Sequence, residues 1–110
     1  RFVEGIGSDI KAEGVAELAY EKTPVKSMGE ILQLAAIVRE GLTKIKMPAL
    51  IFSSTIDHVV PPQNSKEIYS TIRSEQKTLV KLENSYHVAT LDNDKALIAQ
   101  EAIAFIKALA

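Results

Sequence analysis

Hydrophobic residues recur along the chain in runs and periods that predict alternating helices and strands. Ala49 to Phe52 is a short continuous apolar run, which is the pattern of a strand buried on both faces of a parallel sheet. Thr78 to Leu82 is a second strand by its length and its β-branched content. Apolar residues at helical spacing predict four helices, over 8–22, from 27 to the Met47-Pro48 pair, over 63–72 and over 93–109.

The first two predicted helices carry start signals. Ser8 or Asp9 is placed to cap the helix over 8–22. Ser27 and Glu30 form a capping box, in which the serine hydroxyl takes the third amide and the glutamate reaches back to the serine amide. The second helix is therefore expected to begin at Ser27.

The order helix, helix, strand, helix, strand, helix predicts an α/β fold with a parallel sheet and right-handed crossovers. Two parallel strands cannot stand alone, because their outer edges leave unpaired backbone groups in water. Another part of a sheet is expected to complete this one. An open strand edge also makes a homodimer through that edge an expectation for the isolated chain.

Composition narrows the class of partner. The 110 residues are 46% hydrophobic and 25% charged, and 13 basic against 14 acidic residues give a net charge of −1. One compact domain is the natural expectation, without a nucleic-acid footprint or a membrane span. The absence of cysteine excludes disulfides and thiolate metal sites, and leaves the cytoplasm as the default location. A small molecule or another protein surface is the expected partner.

Two residues with catalytic chemistry follow the two predicted strands. Asp57 comes just after the first strand and His87 just after the second, in "ENSYHVATLD". Because parallel strands of one sheet end at the same edge, both side chains are expected there, within contact of each other. A carboxylate beside a histidine fixes the tautomer of the ring and stabilises its protonated form.

Such a pair requires a nucleophile to act on, and none is evident. No serine of the chain lies in a G-x-S-x-G turn, and "GIGSD" at 5–9 has its glycines in the wrong register with no strand before it. The nucleophile is therefore expected outside this sequence.

From about Thr23 to the end, the chain resembles the C-terminal part of α/β-hydrolase carboxylesterases of the bacterial monoacylglycerol-lipase type. The stretches that carry the resemblance are "TPVKS", "MPALIFSSTIDHVVPP", "SKEIYSTI" and "SYHVATLDND". The family has its acid after the seventh strand in a D-x-x-(V/I)-x-P setting and its histidine after the eighth. The resemblance thus implies that Asp57 is the triad acid and His87 the triad base.

The resemblance also implies the domain layout and the activity. Residues 1–26 would be the end of a helical cap and residues 27–110 the C-terminal portion of the hydrolase core, with the serine and the oxyanion amides upstream of Arg1. The expected substrate is a carboxylic ester with a short or medium acyl chain, hydrolysed through an acyl-enzyme without a cofactor. The segment alone is expected to be inactive and to require the N-terminal part of the same enzyme.

One position departs from the family pattern. The family commonly has glycine before the histidine, where this chain has Tyr86, whose backbone reaches unusual angles less readily. Either the histidine loop therefore differs locally from that of the family, or Tyr86 lines the substrate pocket. Val59 and Val60 are further candidates beside the acid, although packing under the loop is the favoured role for them.

Less specific interpretations remain for several residues. Asp57 could simply form a turn, and His58 is a rival base, although neighbouring side chains on an extended segment point apart. The two histidines could bind a metal with Asp92, but no third ligand at helical spacing supports such a site, so no metal site is predicted. Asp92 is instead expected to cap the last helix. The whole chain could also be a non-catalytic module that associates through its open strand edge.

Overall fold

A computed structural model describes all residues from Arg1 to Ala110. The chain forms four strands and three helices, with single 3-10 turns at Leu42–Lys44 and Ala89–Leu91. In chain order the elements are β1 (Phe2–Glu4), β2 (Lys22–Pro24), α1 (Val25–Gly41), β3 (Ala49–Ser54), α2 (Gln63–Thr71), β4 (Lys77–Leu82) and α3 (Lys95–Leu109). None of the helices combines the length and apolar character needed to cross a bilayer.

The centre of the fold is a β-α-β unit. Strands β3 and β4 pair in parallel, with Ala49 opposite Lys77 and Ser54 opposite Leu82, and α2 makes the crossover between them. Both strands therefore end at the same edge of the sheet. The predicted parallel α/β fold is confirmed, and the strand ends differ from the predicted ones by no more than two residues.

Hydrogen bonds continue the pairing beyond the sheet. The N–H of Thr55 donates to the carbonyl of Leu82 at 3.0 Å, and the hydroxyl of Ser54 donates to the carbonyl of Tyr86 at 2.7 Å. Leu82 is 1% exposed and is the largest fully buried apolar side chain. The loops that follow β3 and β4 are consequently anchored to each other where they leave the sheet.

The helix predicted over 8–22 is wrong. This segment is an irregular loop between β1 and β2, which pair in antiparallel fashion from Phe2 opposite Pro24 to Glu4 opposite Lys22. Gly7 and Gly14 adopt positive φ values of 76° and 71°, which a right-handed helix excludes. The segment therefore makes its hydrogen bonds elsewhere, although its apolar residues have helical spacing. The assignment of residues 1–26 to a cap stays a prediction.

The predicted start of the second helix is also wrong. Helix α1 begins at Val25, two residues before Ser27, with the extended Pro24 as its N-cap residue and no side-chain cap. Proline suits this place, because it lacks the N–H that a helix start leaves unpaired and its backbone angle is fixed. Ser27 lies inside the helix, so the capping box does not form.

Helix α1 buries none of its residues. Its apolar side chains stay exposed on the surface of this chain, including Met28, Ile31, Leu32, Leu34, Ile37 and Val38. Only three hydrophobic residues of the whole chain are buried, namely Leu42, Ile72 and Leu82. The apolar core is therefore thin, and two of its three residues, Ile72 and Leu82, belong to the β-α-β unit.

Because the core is this thin, Leu82, its most completely buried member, carries much of it. We expect Leu82→Ala to lower the free energy of unfolding by about 2 to 5 kcal/mol, since the truncation removes buried surface and leaves a cavity. Urea unfolding of the 110-residue chain measures this change. Leu18→Ala, at a fully exposed site (106%), is the matched control and should change the value by less than about 0.5 kcal/mol. Equal losses in both variants would contradict the location of the core.

Candidate active site

Asp57 lies in the loop directly after β3, and its carboxylate is oriented by its own loop. Its Oδ1 accepts the backbone N–H groups of Val59 at 2.9 Å and Val60 at 2.8 Å. Such a turn is a common local arrangement of an aspartate with the residues that follow it. The side chain is 15% exposed, and its second oxygen is left to contact the loop after β4.

His87, in the loop after β4, contacts the second oxygen of Asp57. Its Nδ1 lies 3.0 Å from Asp57 Oδ2, so the ring as the Nδ1–H tautomer donates to the carboxylate. The other ring nitrogen, Nε2, makes no hydrogen bond within the chain, and the side chain is 38% exposed. The structure thus brings together the acid and the imidazole that the sequence places after neighbouring strands, and leaves one ring nitrogen without a hydrogen-bond partner.

The Asp57 carboxyl is favoured in its ionised form. Partial burial acts to raise its pKa, but the hydrogen bonds from the Val60 N–H, the His87 ring and the Val59 N–H outweigh burial. The pKa of Asp57 is therefore lowered from its ordinary value of 3.8. An ionised carboxylate at neutral pH is the form that can orient an imidazole and stabilise its cation.

The structure adds a residue that sequence reasoning missed as part of this site. Asp9, expected to cap a helix, instead lies between the two loops. Its Oδ1 is 2.8 Å from His58 Nδ1, and its Oδ2 accepts the backbone N–H groups of His58 and His87, each at 3.1 Å. His58 is therefore paired with Asp9 and not with Asp57. No local pattern around Asp9 signals contacts 49 and 78 residues away.

Asp92 differs from its predicted role. It is 1% exposed and does not cap the last helix, whose N-cap residue is Asp94. Burial acts to raise its pKa, but four backbone N–H groups donate to it and together lower the pKa below its ordinary value of 3.8; they belong to Lys11, Tyr86, Asn93 and Ala12. Asp92 thus fastens the segment around Lys11 to the loop of His87.

The predicted pocket residues occupy different places. Val60 lines a cavity of about 240 Å³ together with Asp57 and His87, whereas Val59 and Tyr86 lie outside its lining. The Tyr86 ring packs edge-on against His58, with ring centroids 4.7 Å apart. No residue other than glycine has a positive φ, so Tyr86 precedes His87 without backbone strain.

Three serines line the same cavity, namely Ser53, Ser54 and Ser65. None of them hydrogen-bonds His87, and the Ser54 hydroxyl is engaged by the Tyr86 carbonyl. A serine activated by a histidine lies within hydrogen-bond reach of its Nε2. The chain also has no three histidine, aspartate or glutamate side chains grouped as metal ligands.

A parallel β-α-β unit with an acid and an imidazole paired at the carboxyl end of its strands is the arrangement of the α/β-hydrolase class. Residues 9–94 match the family of hydrolases described as "Serine aminopeptidase, S33". The match covers more than half of the chain, so the chain belongs to this family.

Two curated relatives are lipolytic or esterolytic enzymes. The chain is 49% identical over 105 residues to the thermostable monoacylglycerol lipase of Bacillus sp. (strain H-257), which covers 96% of this chain and 42% of the lipase. It is 30% identical over 90 residues to a carboxylesterase of Bacillus subtilis (strain 168), covering 82% of this chain and 37% of the esterase. The chain thus spans less than half the length of these relatives.

Solved structures support the same class. A structure from the work on LipS and LipT, two metagenome-derived lipolytic enzymes, superposes with a TM-score of 0.93 at 55% identity, over 96% of this chain and 43% of that one. The monoacylglycerol lipase of Paleococcus ferrophilus gives a TM-score of 0.65 at 21% identity, over 78% of this chain and 34% of that one, which supports the fold alone. The resemblance to α/β-hydrolase esterases and lipases is confirmed.

The four donors around Asp92 make it sensitive to substitution. We expect Asp92→Asn to lower the free energy of unfolding by about 1 to 3 kcal/mol, because asparagine has one acceptor oxygen in place of two. Because the folded-state pKa of Asp92 is lowered, its ionised form adds stability above its unfolded-state pKa, and that stability is lost as the pH falls through the folded-state pKa. The variant should therefore lose less stability than the parent between about pH 6 and pH 3.

Urea unfolding at a series of pH values measures both effects. Glu75→Gln, at an exposed residue that makes no side-chain hydrogen bond, is the matched control. If the stability of the parent and that of the Asp92→Asn variant change in parallel with pH, the pKa of Asp92 is not lowered by folding.

Proposed function

We propose that this chain supplies the acid Asp57 and the base His87 of a Ser-His-Asp triad in a hydrolase of carboxylic esters. The observation that carries the proposal is the 3.0 Å contact between His87 Nδ1 and Asp57 Oδ2 at the carboxyl end of two parallel strands. The nucleophilic serine and the amides of the oxyanion hole come from sequence upstream of Arg1. The chain order Ser, Asp, His of α/β hydrolases and the 42% coverage of the lipase relative support that placement.

In this mechanism His87 moves one proton in each half-reaction. Its Nε2 takes the proton of the serine hydroxyl as the serine oxygen bonds to the ester carbonyl carbon. The resulting imidazolium is stabilised by the ionised Asp57 and returns that proton to the alcohol oxygen as the ester C–O bond breaks. Water then attacks the acyl-enzyme with the same ring as base, which releases the acid and regenerates the serine. No cofactor enters any step.

The proposed substrates are short- or medium-chain acyl esters. The named relatives at 49% and 30% identity are a monoacylglycerol lipase and a carboxylesterase, which favours esters. The family description names an aminopeptidase, so hydrolysis of a peptide is the competing chemistry within the same mechanism. Residues 1–26 belong, in this proposal, to the cap above the acyl site, and Val60 contributes to the pocket beside the acid.

A second candidate is a non-catalytic module that associates through its surface. Its support is the two-stranded sheet, whose outer edges are unpaired, together with the exposed apolar side chains of α1. Unpaired strand edges and apolar faces favour association with another chain. A second copy of this chain is the partner that this candidate predicts.

A chimeric enzyme tests the triad roles. In it, this chain replaces the matching 105-residue segment of the Bacillus sp. (strain H-257) lipase, which provides the remaining sequence. We expect the chimera to hydrolyse p-nitrophenyl acyl esters. We also expect His87→Ala and Asp57→Ala each to lower kcat by about a thousandfold or more, because the base or its orienting acid is lost.

His58→Ala is the matched control, since it removes the neighbouring imidazole and leaves the proposed base in place. It should lower kcat by less than about tenfold. Equal losses for the two histidines would reassign the base, and cleavage of aminoacyl p-nitroanilides in preference to the esters would replace ester by peptide chemistry. Circular dichroism of each variant separates lost chemistry from lost folding.

The isolated chain tests where the nucleophile lies. We expect a fluorophosphonate probe to leave the mass of the 110-residue chain unchanged, because no serine is placed to be activated by His87. A Ser65→Ala variant is the control for a serine that lines the same cavity as His87 without hydrogen-bonding it. An adduct on the parent that disappears in this variant would place a nucleophile within the chain. Light scattering of the unlabelled chain tests the second candidate. A monomeric molar mass would count against association of the chain with a second copy.

A further inference from the structure

Asp9 bridges the two loops that carry the proposed acid and base. One oxygen, Oδ2, accepts both backbone N–H groups, that of His58 beside Asp57 and that of His87 itself, each at 3.1 Å. The other oxygen, Oδ1, lies 2.8 Å from His58 Nδ1. The Asp9 side chain is 13% exposed, so little water competes for these bonds. A single carboxylate therefore links positions 58 and 87 directly.

The backbone around Asp9 strengthens this link. The carbonyl of Asp9 accepts the N–H of Val88 at 3.2 Å, on the far side of His87 from Tyr86. The following residues Lys11 and Ala12 donate to Asp92, which also accepts the N–H of Tyr86. The segment 9–12 is thus docked against the residues on both sides of His87.

We propose that Asp9 is a positioning residue, which holds His87 at the distance and angle at which its Nδ1 bonds to Asp57. This inference rests on the proposed function, because it assigns Asp9 a task within that triad. Asp9 acts only through the backbone of His87 and the loop of Asp57, since it bonds neither Nδ1 of His87 nor the Asp57 carboxylate. Misplacement of a catalytic group by about 1 Å can cost about a hundredfold in rate.

The charge of Asp9 suits this task. Burial acts to raise its pKa, but bonds from the His58 ring, the His58 N–H and the His87 N–H outweigh it and lower the pKa from its ordinary value of 3.8. The carboxylate is therefore ionised at neutral pH, and its bonds to the two N–H groups are charge-assisted and stronger than neutral ones. Asparagine at this position would keep one acceptor oxygen for the two N–H groups, whereas alanine would keep none.

The first measurement is steady-state kinetics of the chimera described above. We expect Asp9→Ala to lower kcat by about 10- to 100-fold with KM within about twofold, and Asp9→Asn to recover a large part of kcat. Glu13→Ala, which removes an exposed carboxylate of the same segment, is the matched control and should keep the parent kcat. His58→Ala removes the contact of Asp9 with the His58 ring and keeps its bond to the His87 N–H. Comparison of its kcat with that of Asp9→Ala therefore separates the effects of the two losses.

The second measurement uses the 110-residue chain itself and needs no catalysis. Long-range ¹H–¹⁵N correlation spectra at about pH 8.5, where an ordinary imidazole is neutral, report which ring nitrogen of His87 carries the proton. The chain has two histidines, so His58→Ala assigns the signals. We expect the Nδ1–H tautomer of His87 in the parent and in Glu13→Ala, and a mixture of both tautomers in Asp9→Ala.

The two measurements separate the two proposals. If His87→Ala leaves turnover intact, the triad proposal fails, while the tautomer of His87 still tests whether Asp9 sets its geometry. The positioning role of Asp9 is overturned if Asp9→Ala keeps both the tautomer and kcat and lowers only the melting temperature. If Asp9→Ala unfolds the chain or the chimera, Asp9→Asn decides the outcome through the same tautomer and the same kcat.

Discussion

The parallel pairing of β3 with β4 is the constraint on which the rest of this structure depends. Because both strands run in one direction, the loops that carry Asp57 and His87 leave the sheet at the same edge. The register places Ser54 opposite Leu82, and bonds across this point continue into the two loops. An antiparallel pairing of the same segments would put the acid and the imidazole at opposite ends of the sheet. The Asp57–His87 contact is thus a product of strand direction.

Backbone hydrogen bonds to carboxylates hold these loops, since the apolar core beneath them is thin. Asp9, Asp57 and Asp92 each accept at least two backbone N–H groups and have lowered pKa values. The three differ in reach: Asp57 organises its own turn, whereas Asp9 and Asp92 connect segments that lie far apart in sequence. An ionised carboxylate can serve several donors at once, which explains why aspartate recurs where irregular backbone meets the sheet.

How much of this structure the sequence predicts depends on how far apart in the sequence the interacting residues lie. Strands β3 and β4, helices α2 and α3 and the Asp57–His87 contact follow from apolar runs and strand direction, which the sequence pattern predicts. The three-residue strands β1 and β2 are too short to give such a signal. The segment 8–22 depends instead on Asp92, about 80 residues away, and its helical spacing of apolar residues was misleading for that reason. The contacts of Asp9, 49 and 78 residues away, cannot be predicted from the local pattern for the same reason. Helix α1 starts at Val25 because Pro24 fixes the backbone before the Ser27 signal is reached.

The separation of Lys11 from Asp92 by 81 residues has a consequence for the order of folding. Contacts that close long loops carry an entropic cost that local ones avoid, and they tend to form after the local units. The β-α-β unit can therefore assemble before the N-terminal segment docks on the His87 loop. During synthesis on the ribosome, Lys11 emerges 81 residues before Asp92, so this segment can dock only after the loop of His87 has also emerged.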